Sequence, residues 1–247
     1  MNAEVISVVT MLLLIAAIVV GIQFSEKSFS ADTKETVKLA TNLVATMSAL
    51  VLGLLVTSAK NSYDAVRSEV INMSAKVVFL DRVLAGYGPE AAEASASLRE
   101  AVHENINQMW PHESGQSADL TPMKEAGNRV YMAVQNLVPR DDTQRSLKTE
   151  AINVAVDLGQ IRTLLVAQTV PSISKLMLSV LISWLVIIFF SFSMLAPMNF
   201  RAVTALIVSA LSVCGAIWLI LELDRPFGGL IGLSSDPMRN ALAQLAK

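Results

Sequence analysis

The stretch ALVLGLLVTSAKNSYDAVRSEV, residues 49–70, passes from an apolar to a charged composition without a helix-breaking residue after Gly53. Its first part closes a charge-free window, residues 39–59, which is as long as a membrane-spanning helix needs to be. Because no proline or further glycine occurs before Gly86, we predict one helix from about residue 36 to residue 85, about 75 Å long. Beyond the window, apolar residues recur at steps of three and four, which marks one helix face: Val66, Val70, Met73, Val77, Leu80 and Leu84.

Three other charge-free windows have membrane length, residues 5–25, 176–200 and 202–221. With the window at 39–59 they predict four transmembrane helices. The first is read as a retained helix rather than a signal peptide, because Glu4 precedes it and no lysine or arginine does. The composition agrees, since 53% of the 247 residues are hydrophobic and 16% are charged, which is too apolar for an ordinary soluble domain.

The charges beside these windows predict an orientation. Four spans place both termini on one side, and basic residues are in modest excess on that side, which favours a cytoplasmic location for the termini and the central region. The net charge of −2 gives no reason to expect a nucleic-acid partner. The basic residues on the predicted cytoplasmic side are Lys60, Arg67, Lys76, Arg162, Lys175, Arg225 and Arg239, against Lys27, Lys34, Lys38 and Arg201 on the other.

The polar region between the second and third windows also reads as helical. Pro111 closes one predicted helix, residues 112–122 form a loop, and Pro122 opens the next helix. A last helix can run through Pro171 into the third membrane helix with a kink there. The apolar stripes that define the three helices are Leu98, Val102, Ile106 and Met109, then Val130, Ala133 and Leu137, then Ala151, Val154, Leu158, Ile161 and Leu165.

These elements predict an all-α membrane protein of two transmembrane hairpins with a cytoplasmic helical bundle between them. The predicted domains are residues 1–59, the first hairpin; 60–170, the cytoplasmic domain; 171–222, the second hairpin; and 223–247, a C-terminal docking segment. Membrane lipid is therefore an expected partner.

No catalytic constellation is visible, so an enzyme is not expected. His103 and His112 are scattered, and Cys214 is the only cysteine, which excludes an intrachain disulfide and makes a metal site implausible. No cofactor is predicted. The spans contain no ionisable residue at mid-depth, which counts against a proton-coupled carrier.

The second membrane helix carries a face of small, hydroxylated and aliphatic side chains. At 100° per residue, Thr46, Leu50, Gly53 and Thr57 fall within a narrow arc, and Leu54 lies on its edge. Such a face suits close packing of membrane helices. It equally suits a pore lining, in which rings of leucine from several subunits form a hydrophobic constriction.

Several motifs resemble bestrophin-type channels. In that family an apolar pore helix with a leucine–glycine pair runs into an asparagine–x–tyrosine segment, which is similar to Leu52–Gly53 and Asn61–Ser62–Tyr63 here. The tail DRPFGG (224–229) is similar to the segment that follows the last bestrophin membrane helix. The chain most resembles a bacterial bestrophin-like membrane family, to which YGPEA (87–91), MWP (109–111), TVP (169–171) and DRPFGGLIGLSSDPMRNAL (224–242) correspond.

The resemblance implies a bacterial inner-membrane protein in which five copies surround one pore that passes small ions. It places Thr46, Leu50 and Leu54 in a hydrophobic neck, with Gly53 allowing close packing or a bend. One departure matters: bestrophins of animals follow the tail motif with an acidic calcium-binding cluster, whereas Asp236 is the one nearby aspartate here. We therefore expect no calcium activation through this segment.

The stretch LDRPFGGLIG, residues 223–232, is expected to form a bent, ordered connector, because Pro226 limits helix continuation and Gly228 permits unusual backbone angles. Phe227 is predicted to pack near the cytoplasmic membrane face, and Asp224 and Arg225 to pair with polar groups of the bundle or of a neighbouring subunit. A short amphipathic helix with Pro237 in its first turn should follow.

Two functions of different classes remain open from the sequence. One is a homo-oligomeric channel, pentameric by the resemblance, that passes small ions or solutes passively. The other is a non-conducting membrane-anchored sensor or scaffold whose cytoplasmic helices bind a partner, since the stripe on residues 66–84 also suits partner recruitment.

Overall fold

A computed structural model describes residues 3–24, 30–110, 122–168, 173–196, 199–228 and 230–245. The described residues form α-helices with one 3-10 turn, Pro89–Ala91, and contain no β-strand, so the all-α prediction is confirmed for them. The helices are α1 (Ala3–Gln23), α2 (Ala31–Tyr87), α3 (Ala92–Met109), α4 (Pro122–Gln135), α5 (Asp142–Gln168), α6 (Lys175–Leu195), α7 (Phe200–Leu223) and α8 (Asp236–Leu245).

Helix α2 is a single helix of 57 residues, which confirms the long helix predicted from the absence of proline. It ends later than predicted, because Gly86 is still helical and the chain turns at Gly88. Gly88 has φ 115°, a backbone conformation that glycine adopts without the steric penalty of a side chain. The helix stops where the backbone takes this conformation, not at the first glycine.

The chain divides into two compact units, and the first comprises Met1–Ser62 and Pro171–Asp224. Here α1 packs against α6 and α7. The approach to α6 is close, because a Cβ atom at Gly21 would overlap the Ser193 side chain. Four helices, α1, α2, α6 and α7, are long and apolar enough to cross a membrane. The centre of the core consists of Leu14, Ile18, Leu181, Leu185 and Ile217.

The third predicted span was too long at its end. Helix α6 stops at Leu195, and α7 begins after Asn199, whose side-chain Oδ1 accepts a hydrogen bond of 2.8 Å from the Ala202 amide. This N-cap satisfies an amide that has no partner within the helix. The charge-free window at 176–200 thus extended past the end of α6, over the non-helical residues Ala196 and Asn199, to the first residue of α7.

The second unit comprises Tyr63–Val170 and Arg225–Lys247. It is a bundle whose core contains residues of α2, α3, α4, α5 and α8. Every residue of the apolar stripes predicted on α2 and α3 is buried in this core. From the end of the chain, α8 adds Met238, Ala241 and Leu245, and Pro237 lies in its first turn as predicted.

Two predictions in this unit were wrong in detail. Leu137 is buried but lies beyond α4, which ends at Gln135; the Lys148 ammonium donates to the carbonyl oxygens of both residues at 2.7–2.8 Å. Helices α5 and α6 are separate, because Ile173 and Ser174 are not helical. Some predictions fall outside the described residues. These are Pro111, His112, the predicted loop up to residue 121, and the TVP motif with Pro171.

Leu80→Ala tests the bundle core. Leu80 is fully buried, so removing its branched side chain should lower the free energy of unfolding by about 2–5 kcal/mol through lost apolar burial and a cavity. Ile71→Ala on the same helix is the matched control, because Ile71 is 49% exposed, and a change below about 1 kcal/mol is expected. Chemical denaturation in detergent, followed by circular dichroism, measures both; equal losses would contradict this core.

Candidate functional site

The membrane-length part of α2 has two distinct faces. Its buried residues within the first unit are Thr41, Ser48, Leu55 and Ala59. The five residues predicted to line a pore all lie on the exposed face: Thr46, Leu50, Gly53, Leu54 and Thr57. The structure therefore brings the predicted residues together on one surface, which the other residues that the structure describes leave exposed.

The two leucines of this face project well away from the chain. Leu50 is 65% exposed and Leu54 is 63% exposed, and a Cβ atom built at Gly53 would meet nothing within 4 Å. The face continues towards the start of the helix through exposed Leu39 and Leu43. An exposed apolar surface of this kind commonly marks a contact with another protein or with a membrane. We call Thr46, Leu50, Gly53, Leu54 and Thr57 the α2 face.

The hydroxyl groups on the α2 face are satisfied within the helix. Thr46 Oγ1 donates to the Asn42 carbonyl oxygen and Thr57 Oγ1 to the Gly53 carbonyl oxygen, each at 2.9 Å. These bonds remove the cost of an unpaired donor in an apolar medium. The oxygen atoms can still accept a hydrogen bond, so the face offers weak polarity without any charge.

The second predicted site, the connector after α7, packs against the bundle of the second unit. Phe227 meets Trp110 edge-to-face, with ring centroids 5.8 Å apart and planes at 82°, a favoured geometry for aromatic pairs. The Trp110 indole N–H donates to the Leu233 carbonyl oxygen at 2.6 Å, and the Leu233 amide donates to the Pro226 carbonyl oxygen at 2.7 Å. Trp110 thus contacts the connector near its start, at Phe227, and again at Leu233.

The remaining residues of the connector shape the turn. Asp224 follows the last residue of α7, and its amide donates to the Ile220 carbonyl oxygen at 3.2 Å. The Gly228 amide donates to the Arg225 carbonyl oxygen at 3.1 Å. Pairing of the Asp224 and Arg225 side chains with the bundle or a neighbouring subunit stays a prediction.

Sequence reasoning missed Trp110 as the anchor of this connector. The MWP motif drew attention to it only as part of a resemblance. Trp110 stands at the end of an apolar helix stripe, and its hydrogen-bond partner comes 123 residues later. The sequence around Trp110 therefore does not indicate that partner. Its burial and its satisfied N–H become visible only when the distant segments meet.

The part of the chain that the structure describes contains no group of three or more histidine, cysteine or acidic side chains able to hold a metal ion. His103 is exposed, and its Nδ1 lies 3.3 Å from the side-chain Nδ2 of Asn107 on the same helix. Cys214 is buried among apolar residues of the first unit.

Comparison with known protein families identifies a match over most of the chain. The family described as Bestrophin-like domain matches residues 8–238, which includes the α2 face and nearly all of both units. No curated protein and no solved structure matches the chain.

Trp110→Phe tests how the connector is held. The variant keeps an aromatic ring beside Phe227 but removes the indole N–H, which leaves the Leu233 carbonyl without its bond. Amide hydrogens of residues 230–245 should then exchange about tenfold faster, because an unsatisfied buried partner costs about 1–3 kcal/mol. Hydrogen–deuterium exchange with mass spectrometry measures this change.

Trp184→Phe is the control, since Trp184 lies on α6 in the other unit and should leave that exchange unchanged. Unchanged exchange in Trp110→Phe would show instead that the apolar contacts of α8 are sufficient to hold the segment.

Proposed function

The chain belongs to the bestrophin-like family, and on that premise we propose that it assembles as a homo-oligomeric membrane channel whose pore is lined by the α2 face. The family is of channel type rather than an enzyme family, and the resemblance implies five copies around one pore. The observation that carries the proposal is the position of Leu50 and Leu54, which are strongly exposed on the side of α2 that the chain itself leaves uncovered.

The composition of the α2 face supports a protein-facing or water-facing role. The exposed side of α1 carries large aliphatic residues, such as Val8, Leu12 and Val19, which suits contact with lipid tails. The α2 face instead alternates leucine with threonine and glycine. Small residues allow close approach between helices, and threonine oxygens can accept hydrogen bonds from water or a neighbouring chain.

The proposed mechanism is passive permeation through a hydrophobic neck. Residues 39–59 contain no charged side chain, so a ring of the α2 face from several copies would form an apolar constriction. Such a constriction opens and closes by wetting and dewetting. Small ions or small solutes are the proposed permeants, and movement of α2 is the proposed gate.

The contacts of the second unit support the proposed membrane topology. Trp110, before α6, packs against Phe227, after α7, so both residues must lie on the same side of a membrane that α6 and α7 cross. This requirement fits two hairpins, residues 1–59 and 171–222, with the bundle of residues 60–170 and the docking segment 223–247 on one side. The flanking basic residues favour the cytoplasmic side of a bacterial inner membrane.

The alternative function, a scaffold without conduction, loses its main support. The apolar stripe of Val66 to Leu84 was the surface expected to recruit a partner, yet its residues are buried in the chain's own bundle. A scaffold would have to use another surface. The scaffold function is the expected conclusion if the purified protein passes no ions.

Leu50→Ala and Leu54→Ala test the proposed neck. Both variants should raise salt-gradient-driven ion flux through purified protein in liposomes by several-fold or more, because a smaller side chain lowers the cost of wetting the constriction. Leu12→Ala is the matched control, since Leu12 is 60% exposed on α1 and should leave the flux at the wild-type value.

Three outcomes would count against the neck. Flux that rises equally in Leu12→Ala would indicate general leakage rather than a pore on α2. Flux that is unchanged in both α2 variants while the wild type conducts would place the constriction elsewhere. No flux from any variant, with insertion confirmed by protease accessibility, would favour the scaffold.

Leu50→Cys tests the assembly itself. In a background in which Cys214 is replaced by serine, copies that surround a pore bring their Leu50 positions near one another, so oxidation should yield disulfide-linked dimers. Leu12→Cys should not crosslink if α1 faces lipid. Electrophoresis without reductant measures the dimer; a monomer in both variants, with a monomeric mass in mild detergent, would contradict the proposed oligomer.

A further inference from the structure

The bundle of the second unit contains a cavity of about 170 Å³. Its floor is apolar and buried, with Met73 and Val77 from α2 and Leu98 and Val102 from α3. Exposed residues stand at its rim, among them Val156 on α5. An apolar cavity of about 150 Å³ is large enough to hold a benzene ring, so this one accommodates a molecule of about that size.

One residue that lines this cavity carries a buried polar atom without a partner. Asn105, on α3, is only 6% exposed, and its Oδ1 has no hydrogen-bond partner among the residues that the structure describes. Buried side-chain acceptors in proteins are nearly always bonded. A hydrogen-bond donor on a molecule in the cavity that Asn105 lines would give this atom a partner.

Two donors line the same cavity. The Arg162 guanidinium, on α5, lies so close to α4 that a Cβ atom at Gly127 would overlap its Nη1. The absence of a side chain at Gly127 thus makes the room in which the guanidinium sits. Tyr131 accepts a hydrogen bond of 2.6 Å from Gln135 Nε2 at its hydroxyl oxygen, which leaves its own proton available to donate.

The charge of Arg162 is partly shielded from water. Burial lowers the pKa of this guanidinium, although an arginine remains protonated at neutral pH. A positive charge in a partly dehydrated apolar wall attracts an anion more strongly than it would at an open surface. Arginine also presents a planar fork that matches a carboxylate.

We propose that this cavity binds a small carboxylic acid with an apolar body and one hydroxyl group. The Arg162 guanidinium holds the carboxylate, the walls formed by α2 and α3 cover the apolar body, and Asn105 Oδ1 accepts a hydrogen bond from the hydroxyl group. A pocket of mostly apolar lining with a few converging polar groups is the usual form of a small-molecule site. The site rests on the bundle alone, so it is independent of the proposed conduction.

The test uses the full chain in detergent and the three isomers of hydroxybenzoate, measured one at a time by isothermal titration calorimetry. At least one isomer should bind with a dissociation constant of about 1 mM or tighter. Benzoate lacks the hydroxyl and phenol lacks the carboxylate, so both should bind more weakly than that isomer. Absence of binding by all three isomers would overturn the proposal and leave the cavity to water.

Two variants assign the contacts. Arg162→Gln should weaken binding of the best isomer at least tenfold, about the value of one charge-assisted hydrogen bond. Asn105→Leu should weaken the hydroxybenzoate to the affinity of benzoate while leaving benzoate itself unchanged. The second comparison also guards against misfolding, because a collapsed cavity would lose both ligands.

Arg145→Gln is the matched control for charge and detergent effects. Arg145 is exposed on the same helix, where it pairs with Asp142 at 2.6 Å, and it does not line the cavity. Its variant should bind as the wild type does. Equal affinity in Arg162→Gln and Arg145→Gln would overturn the role of Arg162 and, with it, the proposed site.

Discussion

The structure depends on α2 remaining one hydrogen-bonded helix from Ala31 to Tyr87. An apolar medium gives backbone amides and carbonyls no outside partner, so a helix that enters it must satisfy them internally. Helix α2 extends this rule to its side chains, because the hydroxyls of Thr46, Ser48, Thr57 and Ser74 each donate to the carbonyl oxygen four residues earlier. The same helix supplies Leu55 to the core of the first unit and Leu80 to the core of the second.

The sequence predicted the helices well because each kind leaves a plain pattern: a charge-free window of membrane length for one group, and an apolar stripe for the helices of the bundle. Each stripe residue from Val66 to Leu84 is buried, as periodicity indicated. Helix ends were harder, since they depend on single backbone conformations. Gly86 and Gly88 look alike in the sequence, yet only Gly88 takes a positive φ. The connection of α5 to α6 was misjudged for a similar reason, because apolar periodicity before and after the non-helical residues Ile173 and Ser174 does not reveal them.

The candidate sites show what a sequence pattern leaves undecided. Small and hydroxylated residues suit either packing or a pore, and only the three-dimensional arrangement shows that the α2 face is uncovered within the chain. The cavity had even less local signal. Asn105 follows Val102 and precedes Ile106 in an apolar stripe, and a polar residue there is most simply read as a variation in the pattern. Its role in the proposed site becomes visible only because Arg162 and Tyr131, on other helices, line the same cavity.

The bundle is built from two parts of the chain that are far apart in sequence, and this has a consequence for how the protein is made. Met238 is fully buried against a core that begins with Val66, so that core is incomplete until residues 236–245 have been synthesised. Helices α6 and α7 are translated before then. A ribosome producing this chain therefore completes α2 to α5, and then α6 and α7, before it reaches the segment that fills the bundle core, and until then apolar surface of α2 to α5 stays uncovered.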